Sequence, residues 1–497
     1  MKELNKKIKI LWLILILFIM VACSAEKQSL SNLRVMGDAY AVDTFSEVWE
    51  KSEKTTIEYK DGKIEGVDFA KFISGFEPVY DNYSVNLRAD DGFLINMDKK
   101  GLEETYLAYS NDDGWVYVSK KHPVNSGIKN IDEIRIIGNS REKNYDFGLN
   151  IIAGDKTYNY TIGELYNKNY SIIPFSDGVS NKDYNGEEYT VEVLKEKKVF
   201  NLEELVEEQL ESFIIMDSSG KYEYFSSPKG YIELRENTLN YIIPEEHTVF
   251  TDIKGILVNP PAVSVMDTYY DSLYYLEKDT DVMVLFIDGF SYYQYEKYKS
   301  EYGELNITNY KDAMKANTIY KPVTNSGFAA MISGKSPKEN GVLNRDFREL
   351  AVDTIFHEVE NLNKKGALIE GDIKILNTEI EPMLNLDSNK NEYTDDEVYK
   401  TALEEIEKEN NFLLVHFHGL DDAGHDYGPN GEKTIERYKI IDTYIGDLVS
   451  KWKGKVIITA DHGMHSTDDG GSHGEFRTED MYIPYLIMDG GEVNEDE

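Results

Sequence analysis

Three short apolar runs each close on an aspartate: VMVLFID (282–288), NFLLVHFHGLD (411–421) and KVIITAD (455–461). A continuous apolar run of this length leaves no polar face, so it belongs inside a sheet that is covered on both sides. Between and beside these runs lie DDEVYKTALEEIEKEN (395–410) and EKTIERYKIIDTYIGDLVSKW (432–452), both helical in character. Buried strands alternating with helices predict an α/β fold, a mainly parallel sheet with helices on both faces. Ligands of such sheets sit at the carboxyl ends of the strands, and all three acids fall there.

The region before these runs has another texture. From about 36 to 250 the chain is rich in Tyr, Val, Ile and Thr, broken by Asp-Gly, Ser-Gly and Asn-Gly pairs, which predicts many short strands. YSVNLRADDGFLINM (83–97) and SFIIMDSSGKYEYF (212–225) each read as strand, acidic glycine turn and strand. They admit two readings, as equivalent parts of two repeated units or as hairpins recurring by chance. The chain thus divides into residues 1–23, a tether over 24–35, a β-rich region over 36–250 and an α/β domain over 255–497.

Residues 1–23 have the form of an export signal. Lys2, Lys6, Lys7 and Lys9 precede the apolar run LWLILILFIMVA (11–22), and Cys23, the single cysteine of the chain, follows Ala22. The run is short for a membrane span. Met20-Val-Ala-Cys23 resembles a bacterial lipobox, which implies lipidation of Cys23 and a cell-membrane, lipid-anchored protein on the extracytoplasmic face. The formal charge of −38 disfavours nucleic acid as a partner. An anionic substrate then needs a local positive site, such as metal ions.

Six of the nine histidines lie between 416 and 473: His416, His418, His425, His462, His465 and His473. Together with the strand-ending Asp288, Asp421 and Asp461 they offer the nitrogen and oxygen donors that suit zinc. Asp288 is followed by Gly289, which permits a tight turn. Adjacent Asp461 and His462 converge only where the backbone bends, and Gly463 allows that. In LDDAGHDYGP (420–429), the pairs Asp421/His425, Asp422/Asp426 and Asp422/His425 are each spaced to share a helical face. His473 lies in the glycine-bracketed GGSHGEF (470–476). Thr324 opens a helical segment and reads either as its N-cap or as a nucleophile facing an anion at the helix N-terminus. His416 and His418 share one strand face, as core groups or as groups that orient ligands. His465 reads as a solvated loop residue, and His122, His247 and His357 have no clustered partner.

Taken together, these segments resemble the alkaline phosphatase superfamily, and within it the type I phosphodiesterase and nucleotide pyrophosphatase branch. Thr324, Gly334, Pro337 and Gly341 keep that branch's intervals. Asp421, His425, Gly428 and Pro429 match Asp-x-x-x-His-x-x-Gly-Pro, followed by Asp-His-Gly-Met (461–464), His-Gly (473–474) and IPYLIM (483–488). The resemblance implies two divalent ions, zinc by donor type. One would be held by Asp421, His425 and His473, the other by Asp288, Thr324, Asp461 and His462. It implies hydrolysis of a small phosphate ester, a diester or pyrophosphate, through a phosphothreonine on Thr324. The branch commonly has Asn three positions beyond the nucleophile, where this chain has Gly327. Asn325, Asn344 and Arg345 are candidate substitutes in substrate binding. Alternatives are phosphomonoester hydrolysis, phosphoryl-group transfer onto envelope components, and a non-catalytic envelope-binding scaffold. The β-rich region resembles, through ADDGFLI (89–95), ETYLAYSNDDG (104–114) and NIDEIRII (130–137), a sulfite-oxidase-like molybdopterin domain. That family holds molybdenum by a cysteine thiolate, which this region lacks, so the resemblance implies a module without its cofactor.

Overall fold

The computed structural model describes residues 33–120, 128–139, 144–302, 306–307 and 312–491. Residues 1–23, on which the expected export signal and Cys23 fall, and most of the tether lie outside them. The tether's last residues do not behave as a linker, since Arg34–Gly37 form a strand paired parallel to Ile131–Gly138. Among the described residues no helix is long and apolar enough to cross a membrane.

The chain divides into two compact units, and not in series at about residue 250. One comprises residues up to 148, 160–200 and 232–240; the other comprises 149–159, 201–231 and 241 onward. The first unit carries a sheet ordered 34–37, 131–138, 83–89, 94–98, and a second ordered 54–59, 62–68, 105–110, 114–119. Its core packs Val85, Leu87, Ile134 and Ile136 against Phe69, Phe72 and Trp115. In the second unit, a smaller sheet contains 149–153, 253–258, 213–217 and 222–225 in that order. Both sets begin with a parallel pair and continue antiparallel, so the hairpins 83–98 and 213–225 take the same place in one shared connectivity.

The large sheet of the second unit has eight strands: β1 (Val263–Ser264), β2 (Val282–Ile287), β3 (Met314–Asn317), β4 (Gly366–Glu370), β5 (Met383–Leu384), β6 (Phe412–Phe417), β7 (Lys455–Thr459) and β8 (Tyr482–Asp489). Their order is β1-β3-β8-β7-β2-β6-β4-β5. β7, β2, β6 and β4 run parallel, whereas β8 opposes both of its neighbours. Every residue of β2 and β6 is buried, so both faces of the sheet centre are covered, as their unbroken apolar sequences require. The helices that matter for the site are α1 (Thr324–Ser333), α2 (Asp395–Ile406), α3 (Gly419–Tyr427) and α4 (Glu432–Lys451). The smaller sheet also bears on the site. Its Ile152, Ile214, Met216 and Leu257 pack with Phe476, Met481 and Tyr482, just beyond His473. A Cβ at Gly255 would stand 2.3 Å from the Phe476 ring, so that glycine makes room for the anchor of the His473 loop.

Candidate metal and phosphoryl-transfer site

The carboxyl ends of β2, β6 and β7 lie side by side and deliver Asp288, Asp421 and Asp461 to one place. Gly289 turns after Asp288 with φ 68°, and a Cβ there would come within 2.6 Å of Asp421 Oδ1. Its left-handed backbone and missing side chain therefore let the two acids approach. Asp461 Oδ1 accepts from the backbone N–H of His462 at 2.8 Å and of Gly289 at 3.3 Å, which leaves Oδ2 for the site. Asp421 lies four residues beyond the end of β6, in the first turn of α3, whose first residue Gly419 donates its N–H to Asp395 Oδ1; Asp395 is itself held by Arg437 of α4.

Thr324 is buried and is the first residue of α1. The N-cap position belongs to Val323, and among the described residues no backbone N–H donates to the Thr324 hydroxyl as a cap. Its Oγ1 instead lies 3.4 Å from His462 Nε2. His462 Nε2 is also 3.4 Å from Asp288 Oδ1 and 3.3 Å from Asp461 Oδ2. On the other side, His425 Nε2 is 3.3 Å and His473 Nε2 3.8 Å from Asp421, and the rings of His462 and His473 stack at 3.7 Å. The structure thus brings Asp288, Thr324, Asp421, His425, Asp461, His462 and His473 together. Within this set, Asp288/Asp461/His462 and Asp421/His462/His473 each place ligand atoms within 4.8 Å of one another.

The donor set suits cations. His425, His462 and His473 each direct Nδ1 to a backbone carbonyl, of Gly471, Gly463 and Pro322, at 2.9–3.1 Å. That bond places the proton on Nδ1 and leaves the Nε2 lone pair facing the site. Asp288 Oδ1, Asp421 Oδ1 and Asp461 Oδ2 are buried without a hydrogen-bond partner among the described residues. The ionic neighbours of these acids among those residues are histidines alone. Three such carboxylates cost several kcal/mol each unless compensated. Burial and the charge of Asp288 push Asp461 up to about 8, and the bond to Asp421 pushes His425 up to about 8. Burial, then His462, holds His473 down to about 3, as a neutral donor. Divalent ions would displace the protons and satisfy the free oxygens.

The other candidates separate. Arg345 reaches the site, with its guanidinium against His473 Nε2. Asn325 is buried and donates to the carbonyl of Phe347 at 2.9 Å, fixing the loop that carries Arg345. Asn344 accepts from the N–H of Asp346 at 2.8 Å within that loop. Gly327 leaves no room for the branch's Asn, because a Cβ there would stand 2.5 Å from the Asp461 carbonyl oxygen. His465 is a correction. It is buried, with Nδ1 2.8 Å from Asp480, because β-pairing with Ser472 folds its loop inward. Glu370 escaped the sequence reading, although its setting at the end of an apolar strand, followed by Gly371, repeats that of Asp288 and Gly289.

Residues 351–484 match the family described as type I phosphodiesterase / nucleotide pyrophosphatase. The chain is 33% identical over 107 residues to GPI ethanolamine phosphate transferase 1 of Yarrowia lipolytica, covering 19% of this chain and 11% of that protein. It is 33% identical over 94 residues to the transferase of the same name from Saccharomyces cerevisiae, covering 18% and 10%. The chain therefore spans about a tenth of the length of these relatives. Among solved structures, murine ectonucleotide pyrophosphatase/phosphodiesterase 5 is similar with a TM-score of 0.32 and 15% identity, over 38% of this chain and 58% of that one. Phosphonoacetate hydrolase from Sinorhizobium meliloti is similar with a TM-score of 0.31 and 15% identity, over 37% and 56%. The segment that matches the type I phosphodiesterase / nucleotide pyrophosphatase family contains Asp421, His425, Asp461, His462 and His473, and this match supports the resemblance to the alkaline phosphatase superfamily drawn from the motifs.

Proposed function

We propose that this chain is a phosphoryl-transfer enzyme that uses two divalent ions and Thr324 as nucleophile, and that it hydrolyses small phosphate diesters or pyrophosphates. The observation that carries the reading is the convergence of Thr324 Oγ1, three inward Nε2 atoms and three free carboxylate oxygens at one sheet edge. When bound, the ions, zinc by the nitrogen and oxygen donors present, supply positive charge to the threonine alkoxide and the phosphoryl oxygens. The residues themselves set the geometry. Thr324 stands at the N-terminus of α1, where the helix dipole and free N–H groups favour an anion. Its oxygen attacks phosphorus as the bond to the leaving oxygen breaks, giving a phosphothreonine, and water then attacks the same phosphorus to free Thr324. Arg345 supports the reading as a donor to a phosphoryl oxygen in the place the branch gives to Asn.

The names of the curated relatives favour a second reading, in which an alcohol rather than water accepts the phosphoryl group. Purified protein assayed on paired aryl phosphate mono- and diesters, with and without ethanolamine-type acceptors, separates the two. Metal-loaded protein inactive on all of them sinks both. Thr324→Ala is expected to lower turnover at least 10³-fold with metal retained; equal activity would remove Thr324 as nucleophile.

We propose further that Cys23 anchors the protein to the outer face of the cell membrane by a lipid. Cys23→Ser should shift the protein from the membrane to the soluble fraction, and an unchanged distribution would refute lipidation there.

A further inference from the structure

A row of buried groups crosses three neighbouring strands behind the site. Glu370 closes β4, His416 lies in β6 and Asp288 follows β2, and each side chain is 0% exposed. His416 Nε2 is 3.0 Å from Asp288 Oδ2, and its Nδ1 is 3.7 Å from Glu370 Oε1. His418 Nδ1 lies 3.0 Å from the same Oδ2. The two oxygens of Asp288 therefore have separate surroundings. Oδ2 is covered by imidazoles, whereas Oδ1 has no hydrogen-bond partner among the described residues and lies 3.4 Å from His462 Nε2.

The His416 ring is held in place. It stacks on Phe286 at 3.8 Å and 8°, and Phe328 of α1 lies against it at 5.7 Å. Glu370 is tied through its backbone carbonyl, which accepts from Asn385 Nδ2 at 2.9 Å. Both its carboxylate oxygens are buried without a hydrogen-bond partner among the described residues, an arrangement that costs stability. A carboxylate behind an imidazole orients the ring, and His416 is the ionisable neighbour that Glu370 reaches. Neither residue meets solvent or substrate, so both act through Asp288.

We propose that Glu370 and His416 are positioning residues that hold the Asp288 carboxylate from behind, so that it offers Oδ1 alone to a metal ion. The proposal rests on the two-metal reading above. It accounts for a buried acid whose own environment penalises it, and it gives a role to Glu370-Gly371, the acid-glycine pair that ends β4 as Asp288-Gly289 follows β2.

The test is zinc affinity, read on the full-length protein by competition with a chromophoric chelator, beside the melting temperature of the chelated form. Wild type is expected to take up two zinc ions per chain. Glu370→Gln and His416→Leu should weaken one of these binding events by roughly 10–100-fold and leave the other unchanged. His416→Gln, which returns an N–H donor towards Asp288, should recover most of the loss. Chelated Glu370→Gln should melt no lower than chelated wild type, because the substitution removes a poorly satisfied buried acid; this variant decides the matter if His416→Leu does not fold. Unchanged affinity in Glu370→Gln overturns the proposal. So does a matching fall in affinity and chelated melting temperature without rescue by His416→Gln, the pattern of a purely structural role. Three zinc ions on wild type against two on Glu370→Gln would make the cluster a cation site itself and also overturn it. Wild type that binds no zinc defeats the two-metal reading together with this one, a result distinct from any variant-specific pattern.

Discussion

Asp421 and Asp422 are neighbours with opposite surroundings. Asp421 is buried between His425 and His473, whereas Asp422, one residue further round α3, is exposed. Spacing alone allowed either to pair with His425, because both intervals fit a helical turn. Only one side chain of two adjacent helical positions can face the strand ends, and the placement of α3 after β6 selects Asp421. Asp421→Asn should lower zinc affinity by at least tenfold, and Asp422→Asn by less than twofold, in the same chelator competition. The reverse ranking would reassign the ligand. Thr324 illustrates the same limit. A threonine before a helix is most simply a cap, whereas the structure puts Val323 at the N-cap and Thr324 Oγ1 3.4 Å from His462 Nε2.

At the scale of elements, the site depends on how closely α1 approaches the end of β7. Gly327 is the contact point, with room for no side chain against the Asp461 backbone. Gly327→Ala should therefore force α1 outward, cost about 1–3 kcal/mol in denaturant unfolding and reduce activity more than its stability loss explains. A variant as stable and active as wild type would show that the helix has slack. The buried strands were legible because burial on both faces leaves a sequence with no polar positions. The burial of His465 was not legible, since it arises from a two-residue pairing and from Asp480, fifteen positions away.

For the molecule as a whole, the first unit has an ionic centre of its own. Glu133, 1% exposed, meets Arg135 at 2.6 Å, Arg34 at 2.9 Å and Lys198 at 2.9 Å, joining strands from three parts of the chain. Burial raises its carboxyl, but Lys198 and Arg135 outweigh that and hold it at about 2. A carboxyl depressed on folding contributes stability that is complete above its usual value of 4.5 and is lost as pH falls towards about 2. Glu133→Gln should then cost about 3 kcal/mol at pH 7, with the difference from wild type closing as pH falls from 4.5 to 2. A pH-independent difference in unfolding free energy would refute the ionic account.

The sequence by itself determined the α/β sheet, the strands that bear the acids, the histidine-rich segment and the branch resemblance, because periodicity, burial and motif spacing are local properties of the chain. It did not determine that 149–159 and 201–231 fold with the large sheet, that Glu370 stands behind His416, or which oxygens of Asp288 and Asp461 remain free. Those were decided by tertiary structure alone. Strand order in the sheet makes neighbours of residues 46 to 173 positions apart, such as Glu370 with His416 and Asp288 with Asp461, and no local pattern encodes that order.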